Sequence, residues 1–216
     1  MNSIDKRNSV MKDYDLVADK YCSEYGTELG DYDVIQRFEL LLKENSSIVD
    51  LGGGSGKLTN YFINRNYRAV CYDFSSEMRK NALRMFPGIP YILDDIVNVK
   101  NHFSDSSVDG VIAMYSLFHI PREELKRTID DIKSILKYNG IFCLSLQLGN
   151  GEAFVDEAYL NDAGKKVLYI NYLNKGEIYD LLNDFDIIYQ SQKREVGDNV
   201  IGDEGNDAIY IICQKK

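Results

Sequence analysis

The chain has 216 residues, 44% of them hydrophobic, with 25 Lys and Arg against 34 Asp and Glu and a formal net charge of −9. That length is enough for one sizeable core, and the composition is that of a folded globular chain, not a disordered one. The acid excess and the lack of any Lys/Arg run weigh against a nucleic-acid substrate and an anionic membrane surface, and no 18-residue apolar run suggests a membrane span.

Residues 1–12 are polar and are expected to be loose, with no signal-peptide core in residues 1–19. Tyr14, Val17, Ala18, Tyr21, Cys22 and Tyr25 then recur at helical spacing and predict an amphipathic helix with an aromatic face. Residues 26–31 break it, and Val34, Phe38, Leu41 and Leu42 mark a second helix. Together, residues 1–45 read as a helical lid. The run 48–51 predicts a buried strand, and a glycine-dense turn follows before Leu58, Tyr61 and Phe62 open a helix.

The turn reads Asp50-x-Gly52-x-Gly54-x-Gly56. A dinucleotide fingerprint, G-x-G-x-x-G, would put its third glycine at Lys57 or Thr59, and so fails. A phosphate loop fails too, because Leu58 stands where Ser or Thr is needed and Leu51 where the first glycine should be. The acid at the strand end disfavours a phosphate and favours a cationic group.

Residues 68–74 give a second strand ending in Asp73, where a carboxylate can accept both hydroxyls of a ribose. Met78, Ala82, Met85 and Phe86 form a helical stripe stopped by Pro87-Gly88. A third strand, 89–93, is followed by Asp94-Asp95-Ile96, where a carboxylate can accept the exocyclic amine of adenine. Residues 108–114 are the fourth strand. Leu125, Ile129, Ile132 and Leu136 are the apolar face of a helix that opens after Pro121 and stops at Asn139-Gly140. The fifth strand is 141–148. Residues 149–173 break the alternation and read as an insertion over the site. Asn174 and Glu177 form a capping-box pattern. Strands at 185–189 and 208–213 are separated by 194–206, too short and glycine-rich for a crossover helix, so they end the chain as an antiparallel pair.

Five alternations of strand and helix predict a doubly wound, Rossmann-like α/β sheet, mostly parallel with an antiparallel last strand and helices on both faces, as one domain over 1–216. Ligands in such sheets bind outside the C-terminal strand ends, where Asp50, Asp73 and Asp95 all fall. Cys22, Cys71, Cys143 and Cys213 are widely spaced with no CxxC, which points to buried thiols in a reducing cytoplasm. With only two histidines a metal site is not expected.

With these motifs in hand, the chain resembles the class I S-adenosylmethionine (SAM)-dependent methyltransferases of the small soluble type. D-x-G-x-G-x-G matches their first motif. Tyr14-Asp15-Leu16-Val17-Ala18-Asp19-Lys20-Tyr21 is similar to their Y-D-x-x-A-x-x-Y entry, and the stretch from Asp109 to Pro121 to the one after their fourth strand. The resemblance implies that Asp50, Gly52 and Gly54 line the methionine end of SAM and that Asp73 holds the ribose. Phe74 would flank the adenine, Asp95 and Ile96 would bind its edge, Met114 and Tyr115 would pass under the sulfonium, and Tyr21 would close the site. It departs at Tyr138-Asn139-Gly140, where a Pro-Gly-Gly turn is common. Methyl transfer to a small-molecule acceptor, yielding S-adenosylhomocysteine, is the function implied. His119 is the candidate base because its unperturbed pKa lies near neutrality, and Tyr115 is a second catalytic candidate, at the acceptor pocket. The competing readings are a non-catalytic SAM- or S-adenosylhomocysteine-binding module and an NAD(P)-dependent oxidoreductase.

Overall fold

The computed structural model describes residues 1–156, 167–195 and 206–216. Its strands are β1 (Ser47–Leu51), β2 (Arg68–Asp73), β3 (Tyr91–Leu93), β4 (Val108–Ala113), β5 (Leu136–Gln147), β6 (Gly151–Asp156), β7 (Val167–Tyr172), β8 (Phe185–Glu195) and β9 (Asn206–Lys215). Seven of them form one sheet in the order β3-β2-β1-β4-β5-β9-β8. The pairs from β3 to β5 are parallel, and β9 runs antiparallel between β5 and β8. The last strand therefore enters the sheet interior and leaves β8 at the edge. Its direction is the one the short 194–206 connection requires, although residues 196–205 of that connection lie outside the described residues.

The helices are α1 (Ser3–Tyr25), α2 (Tyr32–Leu40), α3 (Lys57–Ile63), α4 (Ser76–Met85), α5 (Arg122–Ile135) and α6 (Lys175–Leu181). Strand residues alternate between two cores, as the period of two demands. Val49, Leu51, Val111, Phe142, Leu144 and Ile211 face α5 and α6; Ile48, Ile112, Ile141, Cys143 and Ile212 face α2 and α3. Helices thus cover both faces, and the C-terminal ends of β1, β2 and β4 are left for α1 to approach.

Three expectations change. Residues 1–12 are helical, not loose: α1 starts at Ser3, under a capping box between Asn2 and Asp5. Its first half is held by partners far along the chain, Glu123, Glu152, Asp95 and Glu124, which local sequence does not reveal. Helix α5 ends at Ile135, before Asn139-Gly140. The carbonyls of Ser134 and Ile135 accept from the N–H groups of Ser106 (2.9 Å) and Ser107 (2.8 Å), so a tertiary contact closes the helix. Leu136 then turns extended and pairs with Val108. Finally, the irregular stretch after β5 contains an antiparallel pair, β6 with β7; residues 157–166 of it lie outside the described residues.

Candidate functional site

Strand β1 delivers the glycine turn to the centre of the sheet's C-terminal edge. Gly52 has φ +71°, and a Cβ there would stand 2.2 Å from the Cβ of Ser116, so the turn and the loop after β4 meet only because the residue is glycine. At Gly54, φ is +49° and a Cβ would meet no protein atom nearer than Met78 Sδ at 4.0 Å, because the residue faces open space. That space is a cavity lined by Tyr21, Asp50, Gly52, Gly54, Asp73, Phe74, Asp95, Ile96, Met114, Tyr115 and His119, which is every residue singled out from the sequence as a site candidate.

Asp50 and Asp73 are almost wholly buried. Asp50 Oδ2 accepts from Thr59 N (3.1 Å) and Thr59 Oγ1 (2.8 Å), tying β1 to α3. Asp73 Oδ2 accepts from Gly54 N (3.0 Å) and Oδ1 from Ser75 N (2.8 Å). The helix-cap role next to Asp73 belongs to Ser75, whose hydroxyl accepts from Met78 N. Burial pushes both carboxyls up to about 6, and the hydrogen bonds just described oppose that shift without cancelling it.

At the far end Asp95 caps a 3-10 helix (Ile96–Asn101) by accepting from Val97 N, and its other oxygen takes a 2.5 Å ion pair from Arg7 of α1. Arg7 is also forked onto Glu124, Nε to Oε2 at 2.7 Å and Nη2 to Oε1 at 3.2 Å. The expected adenine-edge acid is therefore already engaged by a cation that the sequence reading left in a loose tail.

Below the loop, Tyr115 adopts φ +56°, a strained conformation for a bulky residue, held by its N–H on Ser145 Oγ at 2.7 Å. Its hydroxyl bonds Asp31 and lies 2.6 Å from the Tyr210 hydroxyl. Burial, then the Asp31 carboxylate, drive that phenol far above its usual range. The Tyr115 oxygen thus donates to Asp31 and is engaged with Tyr210, while the residue lines the cavity.

His119 is buried, and burial lowers its pKa to about 4. Nδ1 lies 2.9 Å from the Tyr169 carbonyl, which can only accept, so Nδ1 carries the proton and Nε2 accepts from the Tyr14 hydroxyl at 3.0 Å. His119 is therefore neutral across the physiological range, and its free lone pair is spent on Tyr14. Burial also lifts the Tyr21 phenol to about 12. The described part of the 149–173 insertion lines no part of this cavity; it reaches the site through the Tyr169 carbonyl behind His119.

Sequence reasoning missed Arg7, Tyr14, Leu29, Ile35, Lys57 and Ser116, which also line the cavity. Tyr14 carried a signal, its place in the aromatic helix stripe. Arg7 and Leu29 carried none, because loop and helix docking bring them in. Among the described residues no cluster of His, Cys, Asp and Glu could hold a metal ion.

Residues 48–140 match the family model described as a methyltransferase domain. A methyltransferase of Alkaliphilus oremlandii is 24% identical over 95% of this chain and 99% of its own. Among solved structures, a SAM-dependent methyltransferase of Methanosarcina mazei superposes with a TM-score of 0.69 at 21% identity, covering 87% of this chain and 99% of its own. The 1,6-didemethyltoxoflavin-N1-methyltransferase of Burkholderia thailandensis, solved with 1,6-didemethyltoxoflavin and S-adenosylhomocysteine, gives 0.68 at 15% identity over 97% and 87% of the two chains. Strand order, the Asp-Gly turn and the matched domain agree: the fold is that of the SAM-dependent methyltransferases, and residues 48–140 match a methyltransferase domain.

Proposed function

We propose that this chain transfers a methyl group from SAM to a small-molecule acceptor by in-line displacement, releasing S-adenosylhomocysteine. The observation that carries the reading is the convergence of Asp50, Asp73 and Asp95 on one cavity beside Gly54, whose missing side chain leaves room for a ligand against the backbone. The donor set suits the cofactor: carboxylates for an ammonium, two ribose hydroxyls and an exocyclic amine, and no phosphate-binding loop.

When bound, SAM supplies a methyl group made electrophilic by the sulfonium. The protein's own work is alignment. Asp73 is the acceptor for the ribose, Asp95 is fixed at the adenine edge, and Phe74 and Ile96 are the apolar walls between them. Tyr21 from α1 and Tyr115 from below close the middle, which makes the 1–45 segment a lid in this reading. Tyr14 lines the cavity and gives its proton to His119, and in this reading its phenol is the contact for the acceptor. His119, with a pKa near 4, holds Tyr14 in place and does not deprotonate the acceptor beforehand.

The acceptor is small in this reading because α1 crosses the cavity, and because a net charge of −9 disfavours nucleic acid. The pairing of S-adenosylhomocysteine with a small heterocycle in the Burkholderia thailandensis relative supports the same choice. Four buried free cysteines support a reducing, cytoplasmic setting, and no helix of the described residues is long and apolar enough to cross a membrane. The test has two stages: calorimetric titration with SAM and S-adenosylhomocysteine, then a metabolite-extract screen with radiolabelled methyl donor. Absence of heat with both compounds ends the reading. Binding without label transfer to any acceptor leaves a non-catalytic binding module.

A further inference from the structure

We infer that Asp31 is a positioning residue: from outside the cavity it fixes Tyr115 and, through Tyr115, the turn that carries Ser116 and His119 to the site. Asp31 stands at the N-cap of α2, where an aspartate ordinarily accepts from the first N–H groups of the helix. This one makes no side-chain cap bond. Its carboxylate is spent on groups distant in the chain. One oxygen accepts from the Tyr115 hydroxyl, and the other from Lys193 Nζ of β8 at 2.6 Å. The Asp31 side chain is only 9% exposed, so it needs a counter-charge, and Lys193 supplies it. The same ammonium lies 5.3 Å over the ring of Tyr210, whose hydroxyl meets that of Tyr115 at 2.6 Å. The start of α2, the turn after β4, β8 and β9 thus meet in one polar cluster, and Tyr115 is the member that lines the cavity.

A φ of +56° at a bulky residue persists only where its neighbours over-determine it. The Tyr115 N–H is tied to Ser145 Oγ and its hydroxyl to Asp31, so the residue is held at both ends. The turn depends on that conformation. Between β4 and the 3-10 helix Leu117–His119 it sets Ser116 against Gly52, with Ser116 Oγ donating to the Leu51 carbonyl at 2.8 Å, and it brings His119 to Tyr14. Leu29 and Gly30, directly before Asp31, line the same cavity. One carboxylate therefore preorganises two sides of a site that it does not itself line.

The test is a double-mutant cycle of Asp31→Asn and Tyr115→Phe on the full chain. It is read by calorimetry with S-adenosylhomocysteine and by the fluorine NMR spectrum of the free protein made with 3-fluorotyrosine. The affinity half rests on the cofactor reading above; the spectrum does not. Asparagine tolerates the left-handed backbone at position 31, φ 53°, and keeps the side-chain size while removing the charge. Each single change is expected to weaken S-adenosylhomocysteine by about three- to tenfold, and the double variant by no more than the worse single one, because both cut the same tether. The resonance lost in Tyr115→Phe identifies Tyr115, and Asp31→Asn is expected to shift and broaden it. Lys193→Met, a change at a partly exposed position, is expected to move the same resonance. Additive losses in the cycle overturn the assignment, since Asp31 would then act by fastening the 26–31 loop and not through Tyr115. A Tyr115 resonance that Asp31→Asn leaves in place overturns it too. A wild type that binds no S-adenosylhomocysteine overturns the cofactor reading instead, and the fluorine spectrum alone then decides the tether.

Discussion

Two carboxyls near pKa 6 and an imidazole near 4 share one cavity, and their pH signatures run in opposite directions. Asp50 and Asp73 have folded pKa values above the ordinary carboxylate range, so the stability they contribute is fully present below about 4 and is lost as pH rises through 6. His119 has a lowered folded pKa, so its contribution is present above about 6.5 and is lost as pH falls towards 4. A cationic ligand favours the ionised carboxylates. We therefore expect SAM affinity to fall as pH drops from 7 to 5, without a parallel fall in the melting temperature of the free protein. Asp73→Asn should flatten the affinity slope and weaken binding by about tenfold or more; a slope unchanged in that variant would place the titration elsewhere. Tyr14→Phe removes the hydroxyl that bonds His119 and, in the proposed reading, meets the acceptor. It should lower turnover by about tenfold while leaving the calorimetric affinity for S-adenosylhomocysteine within about twofold. At this scale the sequence was a good guide to which acids at the strand ends reach the cavity. Asp50, Asp73 and Asp95 could be named because the strand pattern fixes which residue emerges at each C-terminus. The protonation state of His119 and the commitment of the Tyr115 hydroxyl could not, since both depend on Tyr169, Asp31 and Tyr210, distant in the chain.

Helix α1 is the element on which most of the unanticipated contacts converge. Lys6 and Arg7 fasten its first half to Glu152, Asp95 and Glu124. Asp15 accepts from Ser75 Oγ (2.6 Å) and Glu77 N (3.1 Å), Asp19 accepts from Asn81 Nδ2 (2.9 Å), and Lys57 holds the carbonyl of Tyr25. The helix is thus pinned along α4 and at both ends of the cavity. If α1 is the lid of the proposed reading it opens for a ligand of nucleoside size, and the first half is the part held mainly by ion pairs, whose exposed members weaken with salt. Arg7→Ala should raise amide exchange over residues 3–12 and speed release of S-adenosylhomocysteine several-fold, with little change in exchange over 15–25. Uniform exchange along the whole helix would mean that α1 moves as one body. None of this was legible in residues 1–12, whose polar composition says solvent. The aromatic stripe from Tyr14 to Tyr25 was legible because it is local and periodic, and Val17, Ala18 and Cys22 are indeed its buried members.

At the scale of the whole molecule the architecture follows from a pattern the chain states plainly. Buried residues alternate along β1, β4, β5 and β9 between a core with α5 and α6 and one with α2 and α3, so both sheet faces need helices. The same topology puts the ligand cavity between the C-terminal edge of the sheet and α1, a helix that is not part of either sheet-face core. Ligand binding therefore links two packing units, and its free energy adds to the stability of the whole chain. At a free concentration one hundredfold above its dissociation constant, a ligand that binds only the folded state adds about 2.7 kcal/mol. For a chain of this size that corresponds to a rise of about 5–10 °C in melting temperature. S-Adenosylhomocysteine at that excess should give such a shift, and NADH at the same concentration should give none, because the turn lacks the spacing a pyrophosphate requires. A shift with NADH and none with S-adenosylhomocysteine would return the chain to the oxidoreductase reading. A shift with S-adenosylhomocysteine that disappears in Asp73→Asn would tie the stabilisation to the acid at the end of β2, joining the residue, the helix that covers it and the sheet that presents it in one measured quantity.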